Sequence, residues 1–140
     1  MNKKQKIKFI LVFIVAYALL LLLGVFVFGS LLVGLEEKLI HLLLGSSVNY
    51  GAFDFVVYCS GIVSVSAYLG VIVGFLAIKQ KINHKVVLVG ILLLFLINLL
   101  RIMLVMLSEK IGWHNGVHVI SWFLMLFMIL WLIKISMEKK

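Results

Sequence analysis

Three residues with reactive side chains, Cys59, Arg101 and His118, occur in a chain that is otherwise dominated by aliphatic and aromatic residues. A cysteine thiolate is a nucleophile, a histidine exchanges a proton near neutral pH, and an arginine stabilises negative charge. These three residue types are sufficient for acyl transfer through a thioester. They can act together only if the fold brings them to one place.

The composition indicates an integral membrane protein. Of the 140 residues, 65% are hydrophobic, and the mean hydropathy is +1.28. Soluble domains are only about 45–50% apolar. Four apolar stretches, each near the ~20 residues that cross a bilayer, predict a single all-α domain over residues 1–140 with about four transmembrane helices. The predicted spans are residues 7–28, 56–78, 86–107 and 117–135.

The lysines predict the orientation of these spans. They cluster before the first span, between the second and third spans, and at the carboxyl end: Lys3, Lys4, Lys6, Lys8, Lys79, Lys81, Lys85, Lys134, Lys139 and Lys140. Basic flanks of this kind face the cytoplasm, so both termini are expected inside. The net charge of +8 is then a topology signal, and no nucleic-acid partner is expected. Cys59, Arg101 and His118 all fall near the outer ends of the last three spans.

Two segments bear on how this site is enclosed. The first apolar stretch is predicted to remain as a span, because its apolar core exceeds the usual 7–15 residues of a signal peptide and no A-x-A sequence follows. Residues 31–44 place Glu36, Glu37, Lys38 and His41 among leucines at helical spacing. This pattern predicts an amphipathic helix in the outer membrane interface, which could cover the site, guide substrate or simply connect two spans.

Each reactive residue has an ordinary structural interpretation when taken alone. A lone cysteine in an apolar helix is usually a packing residue, and an arginine near a helix end can extend to the lipid headgroups. Arg101 is nevertheless the only arginine, and its outer position runs against the positive-inside bias. Asn98 shares its helix face and can orient the guanidinium or contact a neighbouring helix. His114 competes with His118 because the two share a face.

The order of three short runs is informative: Cys59-Ser60-Gly61-Ile62, Asn98-x-x-Arg101, and His118 followed by Ser121-Trp122-Phe123. This combination resembles the archaeosortase and exosortase family of membrane transpeptidases, over roughly residues 50–130. The resemblance implies that Cys59 is the nucleophile that forms an acyl thioester, that Arg101 is the catalytic arginine, and that His118 is the catalytic histidine. The chain is shorter than many relatives, which leaves its substrate range open.

The resemblance also implies the partners and the location. The substrates would be exported proteins that end in a short signature, a transmembrane helix and a basic cluster. The enzyme would cleave near the signature and pass the new carboxyl end to an acceptor nucleophile that the sequence does not identify. It would be a multi-pass protein of the cell membrane with its active site facing outside. We expect no cofactor and no metal.

Two other functions fit the same residues. A non-enzymatic scaffold or small transporter subunit would use Arg101 to bind an anionic group and Cys59 for packing. A zinc site would use Cys59, His114 and His118 as ligands, with an open fourth position. The small residues Ser66, Gly70 and Gly74 permit close helix approach and are assigned to packing, although a transmembrane substrate tail or a second copy of the chain could also dock on them.

Overall fold

The computed structural model describes residues 1–45, 61–109 and 112–137. Within these ranges the elements are all helical, which confirms the predicted fold class for this part of the chain. They are α1 (Lys3–Leu23), a π-helical segment (Gly24–Phe28), α2 (Gly29–Leu44), α3 (Ile62–Ala77), α4 (His84–Glu109) and α5 (His114–Ser136). Cys59 and the beginning of the second predicted span lie outside the described residues.

Among the described residues, three helical runs are long and apolar enough to cross a membrane: Lys3–Leu43, His84–Ser108 and Asn115–Ser136. They indicate a membrane protein, as the composition predicts. Their outward faces carry exposed large apolar side chains, as lipid contact requires. The described part of the second predicted span, Ile62–Ala77, is 16 residues long and falls short of a full crossing. A fourth span, which includes residues before 61, therefore stays a prediction.

The first predicted span and the predicted interfacial helix are joined without a break. The π segment follows α1 directly, and Gly29 continues into α2 with helical angles, φ −56° and ψ −53°. No proline interrupts this apolar run. Its 41 residues rise about 60 Å, roughly twice the ~30 Å hydrocarbon core. The helix predicted for residues 31–44 is thus confirmed as a helix, and its position in the interface stays a prediction.

Close packing of α1 against α3 depends on two glycines. A Cβ on Gly70 would lie 3.3 Å from the backbone of Tyr17, and one on Gly74 would lie 2.8 Å from the ring of Phe9. The predicted ladder of small residues is therefore a packing surface, and α1 of the same chain occupies it. Since earlier residues of α1 meet later residues of α3, the two helices are antiparallel.

We expect the Gly70→Val variant to loosen this pair of helices. The added branches would collide with the Tyr17 backbone, and overpacking of this kind typically costs about 1–3 kcal/mol. Gly34→Val is the matched control, because a Cβ on Gly34 has no neighbouring atom within 4 Å. Thermal unfolding in detergent, followed by circular dichroism, should show a lower midpoint for Gly70→Val only. Equal midpoints for the two variants would contradict the tight α1–α3 contact.

One end of the bundle brings together the chain segments that carry most of the described lysines. The backbone N–H of Asn83, just before α4, donates to the backbone carbonyl of Ser136 at the end of α5. Phe9 near the start of α1 packs on Phe75 near the end of α3, with ring centroids 4.8 Å apart. Tyr68 adds a buried hydrogen bond of 2.6 Å to the Ser136 hydroxyl. The opposite end therefore holds the start of α3, the end of α4 and the start of α5.

Candidate functional site

Arg101 lies on α4 at the end of the bundle away from the lysine-bearing segments, and its side chain is buried between the helices. Its side chain is only 5% exposed, although it lies in the outer third of the predicted span. The guanidinium carbon lies 4.6 Å from the centre of the Trp122 ring on α5, a distance typical of a cation–π contact. The arginine thus contacts a neighbouring helix and does not extend outward to lipid headgroups.

Trp122 also contacts His118, one helical turn earlier on α5. Its indole Nε1 donates to His118 Nε2 over 3.1 Å. An indole N–H can only donate, so Nε2 is the acceptor and the neutral imidazole carries its proton on Nδ1. The hydroxyl of Ser121 is used by the helix itself, since it donates to the His118 carbonyl at 2.7 Å. Trp122 therefore links the predicted catalytic arginine to the predicted catalytic histidine.

This hydrogen bond limits how His118 moves protons. The nitrogen that would take up a proton is Nε2, and its lone pair is already engaged by Trp122. The imidazole must leave this partner before Nε2 is protonated. His118 is half-buried and Trp122 is 37% exposed, so both side chains lie at the edge of the bundle, where such a rotation has room.

Asn98 lies one turn before Arg101 on α4 and is 1% exposed. Its amide Nδ2 donates to the Glu36 carboxylate on α2 over 3.1 Å. Of the two roles considered for Asn98, this bond is the contact with a neighbouring helix, and Glu36 is the partner. Glu36 is itself 1% exposed, and it attracts the Arg101 guanidinium electrostatically. A buried charged cluster therefore joins α2, α4 and α5.

Glu36 is a residue of this cluster that the sequence patterns do not predict. Helical spacing groups it with Glu37, Lys38 and His41 as the polar face of an interfacial helix, but those three side chains are exposed and Glu36 is buried. One signal in the sequence distinguishes it. Positions three and four residues to either side of Glu36 are all aliphatic, which places it in the apolar stripe of α2. Ile40, one turn on, is fully buried in the same stripe.

The start of α3 packs directly on this cluster. Gly61 caps α3 with φ +72°, a left-handed conformation that favours glycine, and a Cβ there would lie 3.3 Å from the Asn98 side chain. The structure thus places Asn98 against the cap of α3, one turn from Arg101, and Trp122 links Arg101 to His118. Cys59 is outside the described residues, so its role stays a prediction. His114 begins α5, but its side chain lies outside what the structure describes.

An apolar cavity of about 560 Å³ adjoins the polar cluster. It lies between the end of α1, the π segment, α2, α3 and α4, and among the described residues that line it only Ser66 has a polar side chain. Residues from each wall include Leu23, Phe28, Leu35, Gly61 and Phe95. Gly61 therefore borders both the cavity and Asn98. The site combines a buried cation, an imidazole and an adjoining apolar space.

Among the described side chains, no three histidine, cysteine, aspartate or glutamate residues converge on a point that would hold a metal ion. The zinc alternative needs the side chains of Cys59 and His114, which fall outside that set, so it stays a prediction. No protein-family model, curated protein or solved structure matches this chain. The described helices and the site indicate a small helical membrane protein with a charged cluster buried between its helices.

Proposed function

We propose that this chain is a membrane-embedded cysteine transpeptidase of the archaeosortase and exosortase type. It cleaves the C-terminal sorting tails of exported proteins through a thioester and transfers the new carboxyl end to an acceptor. The observation that carries the proposal is the contact of Gly61 with Asn98, in the same cluster as Arg101 and His118. Two peptide units separate Cys59 from Gly61, so covalent geometry keeps their Cα atoms within about 7 Å.

In the proposed first half-reaction, His118 leaves Trp122 and takes the proton of the Cys59 thiol. The thiolate sulfur bonds to the scissile carbonyl carbon, and the resulting oxyanion is stabilised by Arg101. The carbon–nitrogen bond then breaks, and the departing amine takes the proton from His118. The substrate is left as an acyl thioester on Cys59.

The second half-reaction resolves the thioester. The acceptor nucleophile gives its proton to His118 and bonds to the acyl carbon, while Arg101 again stabilises the oxyanion. The carbon–sulfur bond breaks, and the Cys59 thiolate recovers the proton from His118. With water as the nucleophile, the same steps give hydrolysis.

We place this chemistry outside the cell membrane, with both termini in the cytoplasm. The start of α1, the turn between α3 and α4, and the end of α5 meet at one end of the bundle and carry most of the described lysines. Positive charge favours the cytoplasmic side, so the charged cluster at the opposite end faces outward. The scissile bond of an exported protein would emerge from the bilayer on that side.

The proposal is tested by comparing the C-termini of all exported proteins in host cells with and without the gene. Mass spectrometry of C-terminal peptides detects a cut at any sorting signature. We expect at least one exported protein to end before its apolar C-terminal helix when the gene is present, and to keep that helix when it is absent. Restoring the gene should restore the cut. Identical C-termini with and without the gene would contradict the proposal.

A further inference from the structure

A carboxylate is buried beside the only arginine of the chain. Glu36 is 1% exposed and accepts a 3.1 Å hydrogen bond from Asn98, which lies one turn before Arg101 on α4, and the positive charge of Arg101 attracts the carboxylate. Burying a carboxylate is costly unless charge and hydrogen bonds compensate it. Arg101 requires the same compensation, because it too is buried. Because Asn98 binds Glu36 and lies on the same helix as Arg101, the carboxylate and the guanidinium share one buried region of the bundle.

Docking of α2 does not require this carboxylate. One turn further along α2, Ile40 is fully buried in an apolar cluster with Leu99, Ile102 and Met106 of α4. An aliphatic side chain at position 36 would extend this apolar contact, but it would remove the acceptor of the Asn98 amide and a negative charge near Arg101. A carboxylate at this position therefore indicates a role beyond holding α2 to α4.

We infer that Glu36 is a positioning residue, which keeps the Arg101 guanidinium inside the bundle and against Trp122. Its negative charge opposes the tendency of an arginine near a helix end to extend to the headgroups. Glu36 also accepts a hydrogen bond from the side-chain amide of Asn98, one turn before Arg101. This bond holds α2 and α4 together next to the guanidinium. The role of Glu36 in placing Arg101 holds whether or not the protein is a transpeptidase. Its effect on the rate of tail removal rests on the proposed function.

Trp122 itself reports where the guanidinium lies. Replacing the other two tryptophans, by Trp113→Phe and Trp131→Phe, leaves Trp122 as the single indole. In this background, Arg101→Ala gives the emission spectrum of Trp122 without its cation. We expect Glu36→Gln, which keeps an oxygen for Asn98 but removes the charge, to shift the emission toward the Arg101→Ala spectrum. Glu37→Gln, on the exposed face of α2, is the matched control and should cause no shift.

Two further variants separate positioning from a general loss of structure. Glu36→Asp keeps the charge and should keep the Trp122 spectrum nearer to that of the parent than to that of Arg101→Ala, even if Glu36→Gln fails to fold. Adding Glu36→Gln to Arg101→Ala should cause no second shift, because the effect passes through the guanidinium. The inference would be overturned if Glu36→Gln left the Trp122 spectrum unchanged, or if Glu36→Asp gave the spectrum of Arg101→Ala. It would also be overturned if Glu36→Gln caused the same shift in the parent protein and in the Arg101→Ala variant.

Processing of exported proteins supplies the catalytic readout. Misplacing a catalytic group by about 1 Å can cost on the order of 100-fold in rate, so we expect Glu36→Gln to slow tail removal roughly 10- to 100-fold. Glu37→Gln should retain the parent rate. A shift in Trp122 emission with no tail removal by the parent protein would refute the proposed function and leave the positioning role intact. A normal rate in Glu36→Gln would refute the catalytic consequence.

Discussion

The Cys59→Ala variant should insert into the membrane at the normal level and lose tail removal altogether. Cys59 is the only cysteine in the chain, so no other thiol can form the thioester. Removal of a catalytic nucleophile typically costs on the order of 10⁶-fold in rate. The measurement is the fraction of a tailed exported protein that is processed, divided by the amount of enzyme in the membrane fraction.

Cys59→Ser refines this result. A serine hydroxyl is far less ionised than a thiol and is a weak nucleophile without a strongly oriented base, so it should restore little activity. Normal processing by Cys59→Ala would rule out the mechanism and favour the scaffold or transporter interpretation, in which the cysteine only packs. The two outcomes differ by orders of magnitude, so a simple immunoblot separates them.

Replacement of Arg101 should have the second largest effect. Loss of one preorganised oxyanion donor costs about 10²–10³ in kcat, and we expect a decrease of this size for Arg101→Ala. Arg101→Lys should be nearly as slow. A lysine keeps the charge but lacks the planar guanidinium that lies over the Trp122 ring and donates along a fixed fork.

Lys38→Ala is the matched control for loss of a positive charge near the site, since Lys38 is exposed on α2. It should process substrate at the parent rate. Membrane insertion must be checked for Arg101→Ala, because that variant leaves the buried Glu36 without its counter-charge. A normal rate in Arg101→Ala would contradict the catalytic role, and a normal rate in Arg101→Lys would contradict the role of the stacked guanidinium.

Much of the fold and part of the site follow from sequence patterns. Apolar length locates three long helical runs, and the lysines mark the chain segments that meet at one end of the bundle. The four-residue spacing of His118 and Trp122 already predicts a shared helix face. The same patterns also allow Trp122 to be an interface anchor, because they do not show that the Arg101 side chain reaches its ring from another helix.

The burial of Glu36 could not be predicted from the same patterns alone. An amphipathic segment with four polar residues indicates a polar face, but which residue turns inward depends on how α2 packs on α4. The continuous helix from α1 into α2 could not be predicted from these patterns either. A π-helical turn shifts the helix register through backbone hydrogen bonds, and no residue type in the run from Gly24 to Phe28 specifies it.

We propose that Cys59 is an outward-facing nucleophile activated by Arg101 and His118. The most direct measurement is the rate of Cys59 alkylation by a membrane-impermeant maleimide in intact cells, for the parent protein, Arg101→Ala and His118→Ala. Because the chain has one cysteine, every label reports this thiol. We predict rapid labelling of the parent and labelling several-fold slower in both variants, since the thiolate is the reactive form. Absent labelling, or equal rates in all three proteins, would contradict the claim.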